Sequence, residues 1–268
     1  MAIIAILKGK DHAIMDAPPQ STDFTARILA SELVPEAFRD EEIAESLSLI
    51  AQKLIEDNAK FNLTAITEEE DVFEKHILDS LLCAEAIRPE YQARTEPGEP
   101  ALRLLDVGSG AGFPSLPIAA ALPMLSVTAL DSTAKKCRHM NDTATAASIS
   151  NFVALTARAE NLAKNSDYRE QYDFVTARAV AQLPVLCELC LPFVAPGGLF
   201  VAMKGKTGPE EADRAAHALS VLGAYVEEIR PYTIPRDENP RYLLLIRKNS
   251  PTPALYPRNY SQISKNPL

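Results

Sequence analysis

Leu104-Leu105-Asp106-Val107-Gly108-Ser109-Gly110-Ala111-Gly112-Phe113-Pro114 is the stretch on which the reading of this chain turns. An apolar run that breaks into closely spaced glycines is a buried strand entering a tight turn, and without Cβ atoms the backbone can approach a ligand closely. The spacing is Gly-x-Gly-x-Gly. Dinucleotide folds instead use Gly-x-Gly-x-x-Gly, with a helix N-terminus facing a pyrophosphate. Asp106 precedes the turn, where its carboxylate would repel a pyrophosphate but could hold an ammonium group, directly or through water. S-adenosylmethionine carries an ammonium, a sulfonium and no phosphate. A second apolar strand ends in Asp131, placed to accept hydrogen bonds from both hydroxyls of a ribose. From these residues alone the methyl donor leads, with a nicotinamide or a flavin as the alternative.

Outward from this turn the pattern alternates. Strand candidates are Leu102 to Val107, Ser126 to Asp131, Phe152 to Thr156, Phe174 to Ala177, Leu199 to Met203, Tyr225 to Arg230 and Tyr242 to Arg247. Helix candidates between them are Leu116 to Leu122, Ala134 to Ala147, Leu183 to Phe193 and Glu210 to Leu222. Such alternation predicts an α/β fold with mostly parallel strands, right-handed crossovers and ligands at the carboxyl ends of the strands. The link between the last two strands is too short for a crossover helix and predicts an antiparallel pair at the end of the sheet.

The first part of the chain differs. Residues 1–20 lack sustained periodicity and read as a flexible extension. Residues 21–100 form a helical region and linker. Asp40 is placed to cap a helix with Ile43, Leu47, Ile50 and Leu54 as its buried stripe, and a second helix start is expected at Thr67. A polar linker from Pro89 to Pro100 then leads into the main domain, residues 101–268, which ends in a basic tail.

Hydrophobic residues make up 47% of the 268, ample for a packed core. The early apolar run Ala2 to Leu7 is far too short to span a membrane and lacks a basic start, so a cytoplasmic protein with no membrane partner is expected. Four cysteines, Cys83, Cys137, Cys187 and Cys190, make no metal framework and read as buried thiols, with zinc or redox chemistry at Cys187 and Cys190 the alternative. The net charge of -9 divides unevenly: residues 1–100 carry 9 basic and 21 acidic side chains (-12), and residues 101–268 carry 18 basic and 15 acidic (+3). Screening makes local potential matter more than the total, so a basic face for a polyanion is compatible with an acidic chain. A solvated polar tail would give the same count.

Several ordered blocks make the reading more specific. They are Asn62-Leu63-Thr64-Ala65-Ile66, His76-Ile77-Leu78-Asp79-Ser80, Asp106 to Pro114, Leu130-Asp131-Ser132, Ala177-Arg178-Ala179, Lys204-Gly205, and Tyr256-Pro257-Arg258 through Asn266-Pro267. Together they resemble the GidB/RsmG family, bacterial methyltransferases acting on N7 of a guanine in small-subunit ribosomal RNA, over roughly residues 25–268. The resemblance implies a class I, Rossmann-like methyltransferase with a seven-stranded sheet, an antiparallel last strand and an N-terminal helical appendage. It also implies S-adenosylmethionine as cofactor and 16S ribosomal RNA of the small subunit as partner. By motif it places the cofactor against Gly108 and Phe113, Ala159 and Glu160, and Arg178. Asp106, Gly110, Gly112, Asp131 and Ser132 complete the expected cofactor set. The chain departs from the family at Asp57, where many relatives have Trp, and at Ser115, where relatives have Gly; Ser115 could cap the helix that follows.

Guanine N7 is unprotonated at neutral pH, so its methylation requires positioning but no general base. Arg178 could donate to guanine O6 or a phosphate, and Lys204 could meet the RNA backbone as a point charge or be a strand-end solvent lysine. His76 and Asp79 lie one helical turn apart and could pair. Asn62 reads as a turn residue. Lys135, Lys136, Arg138, Arg236, Arg241, Arg258 and Lys265 are the expected RNA contacts. A monomer is expected, with no metal. The alternatives are a non-catalytic RNA-binding or ribosome-assembly factor and a nicotinamide-dependent oxidoreductase.

Overall fold

The glycine turn sits at the centre of the sheet in the computed structural model, which describes residues 23–95 and 98–268. The extension expected over residues 1–20 lies outside the described residues. Seven strands run in the order β3-β2-β1-β4-β5-β7-β6. They are β1 (Arg103–Val107), β2 (Ser126–Asp131), β3 (Phe152–Thr156), β4 (Tyr172–Arg178), β5 (Val194–Lys204), β6 (Ala224–Tyr232) and β7 (Arg241–Lys248). The pairs β2–β3, β1–β2, β1–β4 and β4–β5 are parallel, and β7 is antiparallel to both its neighbours. The expected antiparallel pair is present with one refinement. The last strand inserts between β5 and β6, leaving β6 at the edge. Order reverses between β1 and β4, where an open α/β sheet leaves its ligand crevice.

Helices cover both faces. Before the sheet lie α1 (Phe24–Ala30), α2 (Glu41–Phe61), α3 (Glu69–Val72) and α4 (Asp79–Arg94); between and after the strands lie α5 (Ser115–Ala121), α6 (Ala134–Ala146), α7 (Ala159–Leu162), α8 (Leu183–Cys190), α9 (Gly208–Arg214), α10 (Ala216–Val221) and α11 (Tyr260–Lys265). One buried cluster joins Leu47, Ile50 and Leu54 of α2 and Leu81 and Ile87 of α4 to Leu104, Phe174, Val201 and Leu245 of the sheet. The other face packs Leu186 and Cys187 of α8 and Leu219 of α10 on Leu105, Val175, Phe200 and Leu244. Alternate strand residues thus feed opposite cores, and the N-terminal helices share theirs with the sheet. All four cysteines are buried, and burial pushes the Cys187 thiol up to about 12.

Several boundaries differ from expectation, each for a local reason. Asp40 does cap α2, its carboxylate accepting from the Glu42 and Ile43 amides, and Asn62 closes the helix in the left-handed conformation (φ 51°). The second start falls at Glu69, two residues beyond Thr67. α4 runs through Pro89 to Arg94 where a linker was expected. Tertiary bonds hold the turn beyond the proline: the Tyr91 hydroxyl accepts from the Met124 amide, and Arg94 pairs with Asp173. The helix expected from Leu183 tightens to a 3-10 turn at Leu191–Phe193, and the one from Glu210 divides at Ala215.

The C-terminal segment is fastened by a charge the sequence assigned to RNA. Arg258 bonds bidentately to Glu188 of α8 at 2.6–3.1 Å, and its amide donates to the same fully buried carboxylate at 2.7 Å. Expected as an RNA contact, Arg258 thus directs Nε, Nη2 and its amide inward. Arg258→Ala would strand a buried carboxylate, so thermal or denaturant unfolding is expected to show a loss of about 3–5 kcal/mol. A phosphate-contacting arginine would instead leave stability unchanged within about 0.5 kcal/mol.

Candidate functional site

Two cavities open at the carboxyl ends of the parallel strands. The smaller, about 150 Å³, is lined by Val107, Gly108, Leu130, Asp131, Ser132, Ala157, Arg158, Ala159, Glu160, Val180, Leu189 and Tyr260. Five of the expected cofactor residues, Gly108, Asp131, Ser132, Ala159 and Glu160, therefore converge from three separate strand ends. The turn places them: the Gly108 and Ser109 amides donate to the Leu130 carbonyl at 2.7 and 3.1 Å, tying β1 to β2. Gly108 has φ +76°, and a Cβ there would lie 2.6 Å from Val180 Cγ2. Gly112 (φ +98°) is needed for packing, since a Cβ would meet Leu116 at 2.4 Å. Asp131 Oδ1 accepts from the Thr133 amide at 2.8 Å and Oδ2 from Gly110 at 3.1 Å, so each oxygen keeps a further lone pair.

Other expected cofactor residues stand back from this cavity. Asp106 is fully buried under the turn; Oδ1 accepts from Thr176 at 3.0 Å, and Oδ2 has no partner. Burial raises its pKa, against the nearby Ser109, Thr176 and Ser115 hydroxyls and Arg178. Asp106 was expected to hold an ammonium group directly or through water, and its carboxyl is buried. Gly110 and Gly112 shape the turn without lining the cavity. Ser115 is fully buried at the start of α5 and makes no capping bond, so its expected cap is corrected. Its hydroxyl, like Asp106 Oδ2, lacks a partner among the described residues.

The larger cavity, about 490 Å³, is lined by Asp79, Arg178–Gln182, Met203–Gly205, Glu211, Tyr232, Asp237, Asn239, Pro240 and Arg241. Arg178, expected by motif as a cofactor contact, lines this cavity and not the smaller one. Its Nη1 donates to the Lys75 carbonyl at 2.7 Å and to Asp79 Oδ2 at 2.9 Å, and its Nη2 donates to His76 Nδ1 at 2.9 Å. Nε and the second N–H of Nη2 have no partner among the described residues. Arg178 can still donate to a ligand, but as a fixed fork. Asp79 has no exposure and also accepts from the Tyr232 hydroxyl at 2.7 Å and pairs with Arg241 at 3.1 Å. Arg241 is held as well by Asp237 at 2.8 Å. Expected on an RNA surface, it lies instead in the wall of this cavity, with both its partners internal to the site.

The helix between Glu69 and Arg94 makes the network possible. Residues Phe73–Leu78 widen to π geometry, and the Asp79 amide bonds the Glu74 and His76 carbonyls, passing over Lys75. The Lys75 carbonyl accepts Arg178. His76 and Asp79, expected as a pair, meet as common partners of that arginine. His76 stacks on Phe113 at 4.6 Å between centroids, which places Phe113 against the network and away from the smaller cavity. Burial and the charges of Arg178 and Arg241 push the His76 pKa down to about 3. The neutral ring accepts at Nδ1, so Nε2 carries the proton and donates to Thr64 Oγ1 at 3.3 Å.

Lys204, expected as an RNA-backbone contact or a strand-end solvent lysine, is no solvent lysine. Its ammonium donates to the Ala181 carbonyl at 2.6 Å and pairs with Glu211 at 2.7 Å, with the side chain 8% exposed. Lys135, Arg138 and Lys265 are exposed, Lys136 lies 3.9 Å from Asp131, and Arg236 is half-exposed near Asp71. Sequence reasoning missed Val180, Arg158 and Tyr260. Arg158 is exposed at the rim of the smaller cavity, 5.8 Å from the Tyr260 ring centroid. Its position straight after the strand ending in Thr156 was the available signal.

Known proteins resemble this chain closely. The family model described as "rRNA small subunit methyltransferase G" (GidB) matches residues 43–237. Ribosomal RNA small subunit methyltransferase G of Oceanobacillus iheyensis is 41% identical over 228 residues, covering 85% of this chain and 92% of the relative. That of Staphylococcus carnosus is 43% identical over 216 residues, covering 80% and 86%. A solved protein of Klebsiella pneumoniae described as a candidate O-methyltransferase superposes with TM-score 0.53 at 13% identity, covering 75% of this chain and 90% of its own; it shows the shared fold.

Two measurements check the geometry. The depressed His76 pKa means that the unfolded chain binds the extra proton first. Stability from this group is full above about pH 6.5 and is lost as pH falls toward 3. In His76→Gln the unfolding free energy should fall less steeply over that window, by up to about 1.4 kcal/mol per pH unit; equal slopes would disprove the buried neutral ring. Gly108→Ala should destabilise by about 1–3 kcal/mol through its left-handed backbone alone, with the Val180 collision adding to it; calorimetry reads the shift.

Proposed function

This chain belongs to the rRNA small subunit methyltransferase G family, and we propose that it transfers a methyl group from S-adenosylmethionine to N7 of a specific guanine in 16S rRNA of the small ribosomal subunit. The observation that carries the reading is the pair of cavities on either side of Val180, one built on Gly108 and Asp131 and the other on Arg178. The residues of the smaller cavity fit the donor. Gly108 leaves a cradle that a Cβ would fill, and Asp131 keeps lone pairs for ribose hydroxyls. Ala159 and Glu160 complete that wall. When bound, S-adenosylmethionine supplies an electrophilic methyl on a sulfonium.

The larger cavity falls within the size range of small-ligand pockets and receives the base. The unpartnered donors of Arg178 address guanine O6 or an adjoining phosphate and stabilise the base through a fork held on its other side by Asp79, His76 and Lys75. Guanine N7 offers a lone pair and carries no proton, so transfer needs no general base. The low pKa of His76 accords with that: the ring is a stacking and accepting group and is not poised to exchange protons near neutrality. Lys135, Lys136, Arg138, Arg158, Arg236 and Lys265 supply cations for the phosphates around the cavities.

Incubation with small ribosomal subunits or 16S rRNA and isotopically labelled S-adenosylmethionine, followed by base mapping, should yield 7-methylguanine at a single position. Donor binding without transfer to either substrate would favour a non-catalytic RNA-binding factor. Neutralising Lys135, Arg138 and Arg158 together should weaken RNA binding and flatten its logarithmic salt dependence by roughly 2, at about 0.7–0.9 per phosphate contact. An unchanged slope would remove this face from the RNA surface.

A further inference from the structure

The backbone between β4 and α8 separates the two cavities, and Val180 lines both. Three observations show that this segment is held under constraint. Ala179 has φ +56°, in the left-handed region that a non-glycine residue occupies only when its surroundings enforce it. Val180 rests on the turn so closely that a Cβ at position 108 would lie 2.6 Å from its Cγ2. The segment is also fastened at both ends. On one side Arg178 is fixed by Lys75, His76 and Asp79. On the other, Lys204 donates to the Ala181 carbonyl at 2.6 Å, and Glu211 Oε2 accepts the Leu183 amide at 2.8 Å.

Lys204 and Glu211 form one unit, paired at 2.7 Å, with the second carboxylate oxygen accepting from Thr207 at 2.9 Å. Burial pushes the Glu211 carboxyl up, but Lys204, the Leu183 amide and Thr207 outweigh it, and the net shift is downward, so the group is ionised at neutral pH. The ammonium has one remaining N–H and the side chain is almost covered, which leaves little for a phosphate.

The geometry points to Lys204 and Glu211 as a positioning pair that sets the height of the Ala179–Gln182 segment between donor and acceptor cavities, acting on turnover without touching RNA or donor. The inference rests on the reading of the two cavities given above. Its physical basis is that in-line transfer requires reacting atoms about 3–3.5 Å apart, and a misplacement of about 1 Å can cost on the order of a hundredfold in rate.

The test compares Lys204→Met, Lys204→Arg and Glu211→Gln with the wild-type chain. Readouts are kcat, donor Kd by calorimetry, rRNA Kd at several salt concentrations, and amide exchange across residues 179–183. In Lys204→Met, kcat per folded molecule should fall by about 10- to 100-fold while both Kd values stay within about threefold. Exchange at Leu183 should accelerate in Lys204→Met and Glu211→Gln, and Lys204→Arg should recover most of kcat. A weaker rRNA Kd with a flatter salt slope in Lys204→Met would overturn the inference in favour of a phosphate contact. A lower melting temperature with wild-type kcat in the folded fraction would overturn it in favour of simple packing. Wild-type protein that binds no S-adenosylmethionine would overturn the reading of the cavities and this inference with it. A working wild type with an equally active Lys204→Met would overturn the inference alone.

Discussion

The carboxylate of Asp79 has no exposure and receives Arg178 from β4, Arg241 from β7 and the Tyr232 hydroxyl from β6. Removing the carboxylate would leave Arg178 without the anion it pairs with, at a cost of about 3–5 kcal/mol. An apolar replacement of the whole group could be as stable, so its value lies in geometry. Nonpolar packing would let the helices slide on the sheet, whereas this carboxylate fixes one registry and with it the orientation of the Arg178 fork. The larger cavity therefore depends on the N-terminal helices as much as on the strands. The π widening of Phe73–Leu78 belongs to the same constraint, because it brings a carbonyl, an imidazole and a carboxylate to one guanidinium.

Local features of the sequence were legible because their causes are local. The boundaries of β2 and β3 coincide with the apolar runs that suggested them. The Asp40 cap follows from an acid followed by an acidic first turn, and the tight turn at Gly108 from three closely spaced glycines, all with positive φ. What was not legible was the destination of each charge. Arg258 and Glu188, or Arg178 and Asp79, lie too far apart along the chain for a count of neighbouring charges to see them. A cluster of basic residues thus looked like one surface, although Arg241, Arg258 and Lys204 face inward while Lys135, Arg138 and Lys265 face out. The continuation of α4 through Pro89 was hidden for the same reason, since the partners that hold it, Met124 and Asp173, come later in the chain.

The two departures from the family pattern have different characters. Asp57, where many relatives carry tryptophan, is buried and meets His139 of α6 at 2.9 Å, with Lys53 and Lys60 beside it. A polar link thus joins α2 to the helix bearing Lys135 and Arg138, replacing apolar bulk with a directional bond that fixes rotation as well as contact. Ser115 instead adds a hydroxyl in a sealed space near Asp106, where both it and Asp106 Oδ2 lack partners among the described residues.

The proposed reaction, methylation of guanine N7, places an unusual demand on a protein because it asks for no proton transfer. The acceptor lone pair is already available and the donor is already activated, so what remains is to exclude poor alignments. The polar side chains around these cavities are spent accordingly: most of their bonds are to each other. Arg178 uses its Nη1 on Lys75 and Asp79 and shares Nη2 with His76, while Lys204 is directed to Ala181 and Glu211. This is the expected economy of a site whose catalytic power lies in holding its walls still. It also explains why a left-handed alanine is tolerated at position 179. Held by Arg178 on one side and the Lys204–Glu211 pair on the other, the segment has few alternative backbone states, and the strain is offset by bonds that would be lost in any relaxed conformation.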